Sequence, residues 1–245
     1  VTIISDHEVC MKLARPDIFH PRIVLAVDPV RGHPEEVETA HGAEDDAGLI
    51  AALRHRGLHA RRLPWDEPET LAADLVILRT AGGARRAEFL DWTRRVTHLL
   101  NPPEAVAWNA DKRYLADLQC DGVPTLTGQP PGELSALVFF GAGRSHAFGA
   151  AGSDPDFELW DVGRAALRSA AERLSIRIEE LLYARVDVAG TAADARLVGL
   201  DLIAPQFGFS ELDADERHRA QRRFAVEVGA ALERLGLGPL AQRRP

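Results

Sequence analysis

Two stretches of the chain are apolar at nearly every position. RIVLAVD (22–28) and ADLVILRT (73–80) have the character of strands buried on both faces of a parallel sheet. Each is followed by a segment with helical periodicity. EDDAGLIAALRHRG (44–57) places Leu49 and Leu53 on one face. Its acidic residues come first and its basic residues last, as the helix dipole favours, and Gly57 can close it in a left-handed conformation. ARRAEFLDWTRRVTHLL (84–100) brings Phe89, Trp92 and Val96 round at helical spacing. A short strand is expected at 59–63. The alternation of strand and helix predicts right-handed crossovers in a small doubly wound sheet. The loop 30–43 leaves the carboxyl end of the first strand, where open α/β sheets bind ligands. It lacks the G-x-G-x-x-G of a dinucleotide site, and its His33 and His41 read as loop residues.

The pattern changes beyond VPTLTGQPPGELS (123–135), a connector rich in Pro, Gly and Thr. ALVFFGAGRSHAFGA (136–150) reads as a hairpin around a glycine-rich turn. DVGRAALRSAAERL (161–174) is a helix with small apolar residues on one face. ELLYARVDVAG (180–190) and ARLVGLDLIAP (195–205) are strands around a small turn. DADERHRAQRRFAVEVGAALERLG (213–236) is a long amphipathic helix, with Asp213 and Glu216 placed as a capping box and Phe224, Val228, Ala231 and Leu235 facing inward. This order predicts an antiparallel sheet with two helices on one face, following the α/β half.

Composition narrows the class. A net charge of −8 without a basic run excludes non-specific nucleic-acid binding. No apolar run reaches the length of a membrane span. Cys10 and Cys120 form no motif, so the expectation is a reducing compartment, the cytoplasm. Residues 1–20 mix charged and apolar positions without order and read as a tail with no signal-peptide core. Lys12 and Lys112 are the lysines of a chain that otherwise uses arginine. A lysine ammonium is a compact point charge suited to phosphate; the simpler reading of Lys112 is a solvated residue pairing with Asp111 or Asp117.

The segment VAWNADKRYLADLQCDGVPTLTG (106–128) resembles the opening of the ATP-grasp fold in bacterial carboxylate–amine ligases similar to the one that closes the D-cycloserine ring. RIVLAVDP and ADLVILRT resemble the α/β domain preceding it in that group. GELSALVFFGAGRSHAF, LLYARVDV and LVGLDLIAP resemble its last strands. The resemblance implies a pre-ATP-grasp-like domain at 21–105 and a reduced α+β ATP-grasp-like domain at 106–245. It implies ATP and Mg as cofactors, with small-molecule carboxylate and amine substrates. By the same resemblance Lys112 is a nucleotide phosphate ligand, and Asp187 and Asp201 are the carboxylates for Mg. Taken as strand residues alone, those two aspartates could equally pair with Arg185 or Arg196. If their strands pair around Asp194, they stand directly opposite one another.

The chain departs from the family's pattern at several places. Between about 124 and 133, where relatives insert a lid subdomain with a second lysine and the adenine pocket, only TLTGQPPG stands. Gly199 and Ala204 replace two acids of the family's last metal strand. Gly82 and Gly83 stand where an aromatic–acidic pair is usual. His146 reads as a satisfied core histidine. The expectation is a degenerate, catalytically impaired ATP-grasp protein. The alternatives are an active shortened ligase working through an acyl phosphate, and a non-catalytic module that forms homo-oligomers or pairs with a full-length relative.

Overall fold

The computed structural model describes residues 20–29, 40–126, 128–130, 132–150, 152 and 154–238, with side chains in the first helix from residue 45 onward. The predicted tail with Cys10 and Lys12, the loop residues 30–39 with His33, and the His41 side chain lie outside the described residues.

The apolar runs form the predicted parallel sheet. Its strands β1 (Ile23–Val27), β2 (Ala60–Pro64), β3 (Leu75–Leu78) and β4 (Leu99–Leu100) are ordered β2-β1-β3-β4. Alternate residues feed two cores. Ile23, Leu25, Leu75 and Ile77 pack with Leu49 and Leu53 of α1 (Ala40–His55). Val24, Ala26, Val76 and Leu78 pack with Phe89 and Trp92 of α3 (Arg86–Thr93), α2 being the single turn Pro68–Leu71. Helices therefore cover both faces, as a doubly wound sheet requires. Gly57 does close the end of α1 with φ +74°.

Two expectations for this half are corrected. The helix predicted over 84–100 stops at Thr93, and Leu99–Leu100 pair with β3 as an edge strand. The β-branched pair Val96–Thr97 and the prolines at 102 and 103 favour extended chain there. The acids of 44–57 are not a first-turn dipole match, because α1 begins at Ala40. Asp46 is instead a buried ion-pair partner. Its carboxylate accepts from Arg79 Nε at 2.6 Å and meets Arg62 Nε at 3.2 Å. The side chains of Arg79 and Asp46 are only 6% and 3% exposed.

The second sheet is antiparallel, with order β6-β5-β7-β8: β5 (Ser135–Phe140), β6 (Gly143–Gly149), β7 (Tyr183–Ala189) and β8 (Arg196–Asp201). Leu137, Phe139, Val186 and Leu200 pack with α6 (Phe157–Leu174). Val138, Phe140 and Tyr183 pack with Phe224 and Val228 of α7 (Ala214–Arg234). The two long helices thus lie on opposite faces, not on one. All six residues of β5 are buried, and a strand apolar on both sides needs cover on both sides. Asp213 caps α7 by accepting from Glu216 N–H at 2.8 Å. Among the described residues, no helix is long and apolar enough to cross a membrane.

The sheets are joined by buried polar contacts. Asn101, fully buried just after β4, donates through Nδ2 to Tyr183 O at 2.9 Å and Leu202 O at 2.7 Å, and accepts from Leu182 N–H at 2.6 Å. The Tyr183 hydroxyl lies 2.9 Å from Leu78 O and 2.8 Å from Ile203 O.

Candidate functional site

The candidate residues lie on the antiparallel sheet, which meets the carboxyl end of β3 through Tyr183 on Leu78 O and Arg79 on Pro205 O. Strand register sets out the floor of the site. Phe148, Ala136, Asp187 and Gly199 make one cross-strand row, and His146, Val138, Arg185 and Asp201 the next, on the same face.

Asp187 and Asp201 share that face as expected, but they are not opposite one another. Asp187 faces Gly199, and Asp201 faces Arg185. The pairing of these residues centres on Ala193 rather than Asp194, and a β-bulge separates Asp187 from Val188, which pairs with Leu197. Asp194 Oδ1 accepts from Thr191 N–H at 2.8 Å and Thr191 Oγ at 2.9 Å. A displacement of two residues keeps the side chains on the same face.

Arg185 reaches the nearer acid. Its Nε donates to Asp187 Oδ1 at 2.8 Å, and its guanidinium sits 5.1 Å from the centre of the Phe148 ring. Asp201 Oδ1 accepts the N–H groups of Ile203 at 2.8 Å and Ala204 at 3.2 Å. Burial pushes the Asp201 carboxyl up, against these N–H groups and the charges of Arg185 and Arg79. Each aspartate therefore has one oxygen committed. A side chain at Gly199 would begin 3.5 Å from Asp187 Oδ2, so the register leaves the place of a third carboxylate open. Magnesium is usually held by one or two carboxylates, with phosphate and water completing the shell. This donor set fits an ion carried in on phosphates, not a resident ion beside a guanidinium. Among the described residues, no group of three or more metal-binding side chains converges.

Lys112 lies in the turn between α4 (Pro103–Asn109) and α5 (Tyr114–Cys120) and is exposed. Both ends of that turn are fastened to β8. Asn109 donates to Leu200 O at 2.9 Å and accepts from Leu202 N–H at 2.8 Å, while Tyr114 Oη accepts from Leu200 N–H at 3.1 Å. Burial raises the Tyr114 hydroxyl's pKa, and the nearby Asp201 and Asp187 raise it further. The turn thus stands beside the strand that carries Asp201. The simpler pairing does not occur: Asp111 pairs with Arg113 at 2.7 Å, and Asp117 accepts from Trp108 Nε1 at 2.9 Å. Asn109 and Tyr114 went unread as anchors in the sequence. The usable signal was a polar residue directly after the apolar face of a short helix.

His146 is the satisfied core histidine expected. Its Nε2 lies 2.6 Å from Phe207 O and its Nδ1 2.9 Å from Ser145 Oγ. Burial lowers its pKa to about 4, opposed by the Phe207 carbonyl. In the unfolded chain the ring takes up a proton near pH 6.5, but in the fold only near pH 4. The stability from the neutral ring is therefore complete above pH 6.5 and is lost as pH falls towards 4. At about 1.4 kcal/mol per pH unit the loss reaches roughly 3 kcal/mol. Urea unfolding at several pH values should show this slope, flattened in His146→Gln. An equal slope in the variant would place the acid sensitivity elsewhere.

The connector also has a definite place. Thr125 bridges to Leu197 in parallel, Leu197 pairs with Val188, and Val188 with Ser135. Thr125 and Ser135 therefore stand three strand spacings apart, about 14 Å. The distance suits so short a segment and leaves no chain for a subdomain.

Residues 23–101 match the family model described as the N-terminal domain of D-cycloserine synthetase DcsG. The cycloserine biosynthesis protein DcsG of Streptomyces lavendulae is 36% identical over 110 residues, a match spanning 40% of this chain and 37% of that protein. The crystal structure of D-cycloserine synthetase DcsG superposes with a TM-score of 0.69 at 21% identity, covering 86% of this chain and 99% of that one. The ATP complex of D-alanine–D-alanine ligase from Bacillus anthracis gives 0.60 at 13% identity, covering 88% and 98%. The ATP-grasp ligase PsnB, complexed with a precursor variant, Mg and ADP, gives 0.56 at 13% identity, covering 86% and 99%.

Proposed function

We propose that this chain, which carries the ATP-grasp fold behind a DcsG-type N-terminal domain, is a ligase relative that has lost efficient catalysis. The observation that supports this reading is the short connection between Thr125 and Ser135, whose ends stand only three strand spacings apart. Phosphoryl transfer to a carboxylate depends on positioning and charge neutralisation in a closed site. With the lid go water exclusion, a second cation and the adenine pocket. On this reading Lys112 is the surviving phosphate ligand. Asp187 and Asp201, through their uncommitted oxygens, would hold magnesium, which supplies charge neutralisation at phosphate. Arg185 orients Asp187, and Tyr114 and Asn109 keep the Lys112 turn against β8.

Titration calorimetry with Mg-ATP tests the proposal. Each lost charge-assisted contact costs about 1.5–3 kcal/mol, and each 1.4 kcal/mol is tenfold in affinity. Two or three lost contacts carry a micromolar site into the millimolar range, and no ADP is expected with any pair of amino acids. Low-micromolar binding that disappears in Lys112→Ala would bring the second reading forward, an active shortened ligase forming an amide through an acyl phosphate. That reading draws on Lys112 having no ion-pair partner among the described residues and on the two aspartates sharing one face. Pairing with a full-length relative has less to recommend it. Among the described residues the exposed large apolar side chains are Phe157, Val226 and Leu235, and none lies in the Asp187 row.

A further inference from the structure

A groove lies between the β5–β6 hairpin and the outer side of α7, and neither Asp187 nor Asp201 lines it. Its volume is ≈ 710 Å³, within the range of ligand sites, and Ser145, Glu216, Arg219, Arg222, Arg223 and Glu227 line it around the buried His146. The backbone places Ser145 there. β5 and β6 pair Val138 with His146 and Phe139 with Arg144, so Ser145 is the extra residue of a β-bulge. Bulges re-aim side chains in this way. Consecutive strand residues normally point to opposite faces, yet here Ser145 Oγ lies 2.9 Å from the neighbouring His146 Nδ1.

The polarity of that contact follows from its far side. His146 Nε2 faces the carbonyl oxygen of Phe207, which can only accept. In the neutral ring Nε2 therefore carries the hydrogen and Nδ1 is the acceptor. The Ser145 hydroxyl donates to Nδ1, so its remaining lone pairs can only accept. Glu216 and Glu227 are acceptors as well. The donors are Arg219, Arg222 and Arg223, none of which forms an ion pair among the described residues of a chain with net charge −8. A ligand must then be anionic to meet the guanidinium groups and carry a hydrogen to meet Ser145.

We propose that this groove is a binding site for a hydrogen-bearing oxyanion, inorganic phosphate, selected over sulfate by Ser145. Hydrogen phosphate and dihydrogen phosphate each keep a P–O–H group, whereas sulfate has the same shape and no hydrogen to give. The arginines would attract both ions, and Ser145 would separate them. The groove shares His146 with the floor of the candidate site but none of Lys112, Asp187 or Asp201, so its test does not require that site to be active.

The test is calorimetric titration of the full chain with inorganic phosphate and with sulfate at matched ionic strength. Saturable one-to-one phosphate binding is expected, about tenfold or more tighter than sulfate, the effect of one charge-assisted hydrogen bond. Arg219→Ala with Arg223→Ala should weaken both ions at least about tenfold each. Ser145→Ala should bring phosphate down to the sulfate level and leave sulfate unchanged, and Ser145→Thr, which keeps the hydroxyl, should retain the preference. Circular dichroism confirms that each variant is folded. Equal affinity for the two ions, or phosphate affinity unaffected by the arginine pair, would overturn the proposal.

Discussion

Replacing Asn101 by alanine is expected to cost roughly 3–9 kcal/mol, since each of the three buried backbone groups left unpaired costs about 1–3 kcal/mol. The side chain is fully buried and satisfies Leu182 N–H, Tyr183 O and Leu202 O at once. Those groups belong to the start of β7, to Leu182 just before it and to the segment after β8, while Asn101 belongs to the end of the parallel sheet. Its loss therefore frees three groups on one side of the joint between the sheets. Natural domains are stable by about 5–15 kcal/mol, so the variant should be partly unfolded or nearly so at 25 °C. Urea denaturation followed by far-UV circular dichroism gives the value. A loss below about 1 kcal/mol would mean that water or a local shift re-satisfies these groups.

Asp46→Ala should cost about 3–5 kcal/mol, the usual consequence of leaving a buried charge without its partner. The stranded charge is Arg79, whose Nη1 also donates to Pro205 O at 2.9 Å and whose guanidinium lies 4.5 Å from the centre of the Phe207 ring. The pair thus ties α1, the end of β3 and the 205–207 segment together. If the cost comes from the unpaired charge, removing the other partner as well should recover much of it. Asp46→Leu with Arg79→Leu should then be more stable than Asp46→Ala. A double-mutant cycle with a coupling near zero would show that the two residues stabilise the fold separately.

Much of the scaffold was legible because apolar runs and helical stripes are local signals. β1 and β3 read as buried parallel strands, Leu49 and Leu53 as a buried stripe, and α7 as a capped amphipathic helix. What was missed depended on distant partners. The acids of 44–57 look like a favourable helix start, and only the approach of Arg79 from β3 turns Asp46 into a buried ion-pair partner. The register of β7 on β8 is interrupted by a β-bulge next to Asp187, which the apolar pattern does not announce, and Asp187 lies opposite Gly199 rather than Asp201. The placing of α6 and α7 on opposite faces was in fact readable from the unbroken apolar run of β5. At the candidate site, Asp187 and Asp201 share a face as the strand period requires. Asn109 and Tyr114 matter because of the backbone they fasten, which no short spacing announces.

The row Thr125–Leu197–Val188–Ser135 also makes the chain a natural port for grafting. Its two ends are held by the sheet, Leu126 N–H donating to Leu197 O and Leu134 O accepting from Ala150 N–H, so residues 127–133 between them can be exchanged without disturbing the strands around them. Any unit spliced there needs termini about 14 Å apart, the width of three strand spacings. The added length itself is cheap, since doubling a loop costs only about 0.6 kcal/mol in closure entropy. A lid taken from a relative would thus have a ready-made socket at the end of the sheet, one row along the strands from Asp187.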